Sequence, residues 1–322
     1  MVSTTKKVDV KKLLSKYSIV LILIVIMAIC AIANDRFLTL NNLINVCRQQ
    51  SVIIIIAFGE MALIICGQLD LSCGAVIALS GCLSVYTYKA TQNILLAFLV
   101  AVVVAVFVNL LNGIMVTKFM APAFIATLAT QTMARGAVLY ITNGQNIYEI
   151  GDYAVVGQGS VGIIPIPVIF MVVIFIIIAY MMRHTHWGRS TYAVGGNAEA
   201  ANASGINTQM VINKAYLLNG VLVGIAAVLF MSRVNGGLPA GADGYEMDGL
   251  TATIVGGTSF TGGIGTPWGT VVGAFVVGFL SNIMNLMSID SYIQQIVKGA
   301  IIAIAVIWDI YSKSRQTYKK GK

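Results

Sequence analysis

Charge is scarce in this chain. Lys and Arg number 20 and Asp and Glu 12 among 322 residues, so a tenth of the chain is charged while 58% is apolar. A soluble domain carries about a quarter charged residues, and a water-exposed globular fold is excluded. Histidine is limited to His184 and His186, beside Arg183 at the end of an apolar run; that position fits a membrane interface better than a metal site. The five cysteines, Cys30, Cys47, Cys66, Cys73 and Cys82, contain no CxxC pair and lie in or beside apolar segments. They read as structural thiols, and neither a metal nor a cofactor is expected. GGTSFTGGIGTPWG has the glycines of a phosphate loop, but no GK[ST] follows. GxSxG, HExxH and a usefully spaced carboxylate pair within a span are also missing, so no catalytic residue is expected. The chain is not an enzyme, and any energy it uses comes from another subunit or from an ion gradient.

What fills the chain instead is one apolar run after another, near 17–34, 51–66, 73–88, 94–116, 124–142, 165–182, 215–232, 250–264, 268–287 and 292–311. Crossing about 30 Å of hydrocarbon takes roughly 20 apolar residues with every backbone group paired internally. The expected fold is therefore all-α, a polytopic integral membrane protein of about ten transmembrane helices, the second, third and eighth runs being short. Lys6, Lys7, Lys11, Lys12 and Lys16 precede the first span, and Lys313, Arg315, Lys319, Lys320 and Lys322 follow the last. Both tails, 1–16 and 312–322, are expected to be cytoplasmic, with 17–311 one transmembrane domain. The polar stretch 183–214, with Arg183, Arg189 and Lys214, then also falls inside. The net charge of +8 is explained by tails lying against an anionic leaflet and needs no nucleic-acid partner.

An internal repeat is expected. DLSCGAVIALSG from Asp70 parallels DGLTATIVGGTS from Asp248, Asn109 and Asn112 parallel Asn282 and Asn285, and Arg135-Gly-Ala parallels Lys298-Gly-Ala, in the same order. Five intervening spans invert one copy relative to the other. Polar groups at membrane depth are costly unless they pair or line water. Each asparagine pair is three residues apart and so shares one helix face. Interhelical hydrogen bonding and a polar solute path are both open readings of them. Arg135 and Lys298 are placed for snorkelling to the interface. Glu60 reads as the lone membrane-depth carboxylate, with Asp70 and Asp248 near opposite surfaces. Gly256, Gly257, Gly262, Gly263, Gly265 and Gly269 around Pro267 indicate either close helix packing or an interrupted, re-entrant backbone.

GQLDLSCGAVIALSG, APAFIATLATQTMARGAVLYITNGQNI, YAVGGNAEAANASGIN and SFTGGIGTPWGTVVGAFVVGFLSNIMNLMSID together resemble the permease subunits of bacterial monosaccharide ATP-binding-cassette importers of the ribose type, from about residue 35 to 311. Gln68 stands where that family usually has a second Gly, and Cys73 where Val is common. The resemblance implies a second permease chain, as a homodimer or with a sister permease. It also implies two cytoplasmic ATPases or one fused tandem ATPase, and an extracytoplasmic sugar-binding protein. It implies that the 188–206 loop couples to the ATPase through Gly188, Arg189, Gly195, Asn197, Glu199, Ala200, Ala201, Asn202, Ser204 and Gly205. Within that loop Glu199 to Ser204 favour a short helix, Asn197 an N-cap and Gly205 a C-terminal cap. Asn109, Asn112, Asn282 and Asn285 are expected to line the translocation path. Glu149, Asp152, Asp243, Glu246 and Asp248 are expected to form an acidic docking surface for the binding protein. The rival reading is an ion-gradient-driven carrier with Glu60 as the coupling carboxylate.

Overall fold

The computed structural model describes residues 18–320. The basic tail residues Lys6, Lys7, Lys11, Lys12, Lys16 and Lys322, and the side chains of 312–320, lie outside that description. Thirteen helices are described: α1 Ser18–Ala33, α2 Leu40–Ile65, α3 Cys73–Thr91, α4 Ile94–Thr117, α5 Ala123–Thr142, α6 Val155–Gln158, α7 Ile166–His184, α8 His186–Gly196, α9 Ala198–Ala203, α10 Thr208–Arg233, α11 Tyr245–Val255, α12 Pro267–Leu286 and α13 Ser291–Lys320. A hairpin of β1 Ser160–Val161 and β2 Ile164–Pro165 decorates the α6–α7 connection.

Each expected span is found as a helix, α10 and α13 being longer than their apolar runs and α2 and α11 differing in ways that matter for the site. α2 is 26 residues, about 39 Å. Polar Asn41, Asn42, Arg48 and Gln49 had hidden its first turns from a search for apolar runs. α11 has only 11 residues, about 16 Å, and so covers half of a bilayer. Six helices, α2, α4, α7, α10, α12 and α13, are long and apolar enough to cross a membrane. α4 presents Leu95, Leu99, Val103 and Phe107 outward, and α7 presents Val172, Val173, Ile176 and Tyr180. A surface of this kind belongs in lipid.

α2 forms the axis of the body, buried along most of its length and packed by α7, α10, α11 and α12. Small residues allow α4 and α10 to pack closely along their length. Ala97, Ala101 and Ala105 are fully buried on α4, and a Cβ at Gly224 of α10 would lie 2.6 Å from the Val102 backbone. In the absence of a hydrophobic force between helices in lipid, such backbone approach supplies the dispersion contact that holds them.

Backbone contacts define two polar ends. At one, Gly263 N donates to Ile65 O at 2.9 Å, Tyr192 OH to Gly265 O at 2.9 Å, and Asn213 Nδ2 to the Thr117 hydroxyl at 2.9 Å. At the other, Lys89 Nζ reaches Tyr148 O at 3.0 Å, Ile147 pairs with Gly237, and Ser232 Oγ donates to Tyr153 O. α8 and α9 sit at the first end.

The helices beginning at residues 40, 73, 94 and 123 recur as helices beginning at 208, 245, 267 and 291. Contacts recur with them: α3 packs on α4 and α5 as α11 packs on α12 and α13. α2 finishes at the α8–α9 end, where α10 begins, so the copies run in opposite directions. The asparagine pairs occupy matching positions along α4 and α12. The other two anchors do not match: Asp70 precedes α3 whereas Asp248 lies inside α11, and Arg135 stands farther along its helix than Lys298.

Candidate functional site

At the end of α2 the chain turns back into the body. Gly67 takes φ +76, its N–H donates to Ile64 O at 2.9 Å and Gln68 N to Leu63 O at 2.9 Å, which closes a Schellman cap. The returning segment 68–72 carries Asp70 to the level of Glu60. Both acids are fully buried, which corrects the expectation of Asp70 near a surface and of Glu60 alone.

Donors from the N-cap of α3, from α4 and from α10 converge on Asp70. Its Oδ1 accepts from Ser72 N at 2.7 Å and Ser72 Oγ at 2.5 Å, with Asn112 Nδ2 at 3.5 Å; its Oδ2 accepts from Asn219 Nδ2 at 2.8 Å. Asn219 also donates to Asn109 Oδ1 at 3.0 Å, and Asn112 Oδ1 accepts from the Thr130 hydroxyl at 2.6 Å. Glu60 Oε1 accepts from Cys73 Sγ at 3.1 Å and Oε2 from Asp70 N at 3.4 Å. Ligand atoms of Glu60, Asp70 and Cys73 lie within 4.8 Å of one another. Asp70 is saturated by protein donors, and Cys73 hydrogen-bonds Glu60, so the trio forms a buried hydrogen-bond node. The node ties the start of α3 to α2, α4, α5 and α10, and Tyr216 OH extends it by donating to Leu69 O at 3.0 Å.

The four path asparagines do not meet. Asn109 and Asn112 are sealed in this node at zero exposure. Asn282 exchanges two 2.9 Å hydrogen bonds with Asn42, and Asn285 Oδ1 accepts from Gln294 at 2.9 Å, at the opposite end of the bundle. Inversion of the repeat is the reason, since equal positions along antiparallel copies fall at opposite depths.

The acidic set divides as well. Glu149, Asp152 and Asp243 are exposed, whereas Glu246 and Asp248 are buried on α11. Asp248 pairs with Lys298 at 2.8 Å, so Lys298 is held inward. Glu246 Oε1 accepts from Gln131 at 3.3 Å, and its Oε2 lies against Gly74 without a hydrogen-bond partner. Arg135 donates to Pro239 O at 2.8 Å and Gly241 O at 3.0 Å and reaches Asp243 at 3.9 Å. An acid beside glycines and threonines reads as a loop in sequence, and only its partner on a distant helix reveals burial.

The α8–α9 segment follows its sequence signals closely. Thr185 caps α8 by accepting from Gly188 N at 3.0 Å, and Asn197 caps α9 by accepting from Ala200 N at 2.9 Å. Gly205 takes φ +83, donating to Asn202 O at 2.9 Å while Ile206 N donates to Ala201 O at 3.0 Å, a second Schellman cap. Ala201 is buried with Leu63, Cys66, Val194, Val211, Ala215 and Tyr216. Asn197, Glu199, Ala200, Asn202, Ser204 and Gly205 are exposed, as is Arg189, and Gly188 is buried against the end of α7. At Gly195 three backbones cross: a Cβ there would overlap Ile65 O, with Gly263 N close behind. Gly262 and Gly263, both at positive φ, press on Gly195 and Gly196 from the other side. The glycine-rich segment is thus an irregular loop at this end, packed against α8.

Residues 42–306 match a family described as branched-chain amino acid transport system / permease component. The chain is 35% identical over 316 residues to the ribose import permease protein RbsC of Haemophilus influenzae, covering 97% of this chain and 98% of that protein. It is 36% identical over 292 residues to RbsC of Escherichia coli K12, covering 89% and 91%. The D-allose transport system permease protein AlsC of the same organism is 33% identical over 297 residues, covering 91% of each. No solved structure gives a match.

Proposed function

The chain belongs to the branched-chain amino acid transport system / permease component family, and on that premise we propose that it is the membrane permease subunit of an ATP-driven sugar importer, of ribose type. Its relatives named for ribose and allose import support the sugar class. It carries no chemistry of its own; the ATPase and the sugar-binding protein are separate partners in the membrane assembly. Residues 17–311 act as one permease domain, with both termini and 183–214 on the cytoplasmic side. A second copy completes the path, because α13, none of whose spanning window is buried, leaves a whole helix face for it.

The observation that carries the reading is α9. A helix of six residues, rigidly capped at both ends, anchored by Ala201 and otherwise exposed, is built to seat in another protein and move as a block. Through Gly195 its displacement reaches two backbone breaks at once, the return after Ile65 and the loop at Gly263. Asn282 and Asn285, at the opposite rim, are placed to line the entrance to the path. Asn109 and Asn112 serve instead to hold the start of α3. Glu149, Asp152 and Asp243 form the acidic surface for the binding protein, where charge contributes to orientation more than to affinity.

The test is sugar-dependent ATP hydrolysis and uptake in liposomes holding this chain, its ATPase and its binding protein. Glu199→Trp, Asn202→Trp and Ser204→Trp together should abolish both activities while the chain still inserts. Uptake that ignores ATP and the substitutions, and fails with an uncoupler, would replace this reading with a gradient-driven carrier.

A further inference from the structure

At the α8–α9 end, α7, α8 and α10 enclose a surface groove lined by Met181, Trp187, Lys214, Leu217, Leu218 and Val221. Its walls are apolar and its polar groups are already used. The Thr185 hydroxyl donates to Met181 O at 2.7 Å, and Trp187 Nε1 donates to Val211 O at 3.3 Å, which fixes the indole as a wall. Lys214 is the exception: it is exposed and makes no ion pair among the described residues. From Lys214 to Val221 is two helical turns, about 10 Å, so the groove runs from the polar edge of the spans into hydrocarbon. Residues 183–189 place Arg183, His184, His186 and Arg189 outside the groove and include no acid that could neutralise Lys214.

We propose that this groove is a binding site for an anionic phospholipid, its acyl chain along Leu217, Leu218 and Val221 and its phosphate at Lys214. Depth argues for lipid over a soluble partner, since an ATPase does not reach Val221. Charge argues for lipid over a second copy. Besides Glu199, the acids exposed among the described residues, Asp35, Glu149, Asp152, Asp243 and Asp290, belong to the opposite end, and Asp309 already accepts from Ser259 Oγ and Phe260 N. Glu199 lies on α9, beyond the spans. A cytoplasmic leaflet supplies phosphate at the level of Lys214, and basic pockets between helices on that side suit anionic headgroups. An indole at the rim is equally at home there.

The inference rests on the membrane-spanning reading but not on transport, so its test uses binding alone. The chain has three tryptophans, and Trp268→Phe with Trp308→Phe leaves Trp187 as the reporter. The full chain is placed in phosphatidylcholine vesicles containing phosphatidylglycerol, with bromine on the acyl chains of one lipid or the other. Quenching of Trp187 should show about a five-fold preference for phosphatidylglycerol, the factor one lysine contributes at an anionic surface. Lys214→Gln should bring the preference to unity with quenching by both lipids retained, and Arg183→Gln, outside the groove, should leave it intact. Equal quenching by the two lipids, loss of preference in both variants, or its survival in Lys214→Gln overturns the site. Absence of quenching by either lipid shows the groove covered by protein and also overturns it.

Discussion

Gly195→Ala and Gly196→Ala differ by one position and should differ sharply in effect. A Cβ at Gly195 meets the Ile65 carbonyl and Gly263 N, all backbone, whereas a Cβ at Gly196 meets nothing within 4 Å. The first substitution forces α8 away from α2, an overpacking cost of about 1–3 kcal/mol. Separation also strains the Gly263 N to Ile65 O hydrogen bond, worth about 1 kcal/mol. The second adds helix propensity in the last residues of α8, a gain of at most about 1 kcal/mol. Together the two variants should be separated by about 2–4 kcal/mol in unfolding by denaturing detergent, with Gly196→Ala near or above the parent. In coupled liposomes Gly195→Ala should lose sugar-stimulated ATP hydrolysis and uptake together, because the contact displaced is the one joining α9 to both backbone breaks. Equal stability and equal uptake in the two variants would refute the three-backbone crossing and the transmission argued from it.

The hydrogen-bond node gives a double-mutant cycle. Asn219→Ala and Asp70→Ala should each destabilise by about 2–4 kcal/mol, and the double variant should fall short of their sum by at least about 1 kcal/mol; additivity within about 0.5 kcal/mol in detergent unfolding would dissolve the node. Cys73→Ala removes the thiol donor without adding bulk at a fully buried site, so a loss beyond about 3 kcal/mol in detergent unfolding would show that the thiol matters more than its contacts indicate. Lys298→Met strands Asp248 on α11, and Asp248→Asn in the same chain should recover most of the lost stability; no recovery would place the lysine elsewhere. Gly205→Ala has room for its methyl but must hold φ +83, which costs about 1–2 kcal/mol locally. It should lower coupled hydrolysis without affecting insertion, which gel filtration and an ATPase assay together can check.

Much of this architecture was legible because it depends on local rules. Length and hydropathy located ten of the thirteen described α-helices, Asn197 and Gly205 marked both ends of α9, and the recurrence of paired asparagines announced an inverted repeat. Depth was not legible. The apolar run ended at Cys66, yet nothing local indicated that the chain then re-enters the body. The donors that make Asp70 tolerable there, Asn112 and Asn219, are on α4 and α10. Glu246 and Asp248 were misplaced for the same reason, their partners Gln131 and Lys298 being far away in the chain. Asn109 and Asn282 show the converse. They occupy matching positions on their helices, and the inversion already implied by span parity puts them at different depths, Asn109 sealed in the node and Asn282 paired with Asn42 toward the opposite end.

The caps of α9 are supplied by its own flanking residues, and its only investment in the membrane body is Ala201. Its shape therefore does not depend on which ATPase it meets. The exposed positions Glu199, Ala200, Asn202 and Ser204 are free to be rewritten as an address while the junction at Gly195 and the anchor at Ala201 stay fixed. On the coupling role proposed for α9, specificity for the motor and transmission of its stroke are separable, so exchanging those four side chains for a relative's should redirect the permease to that relative's ATPase without refolding the protein.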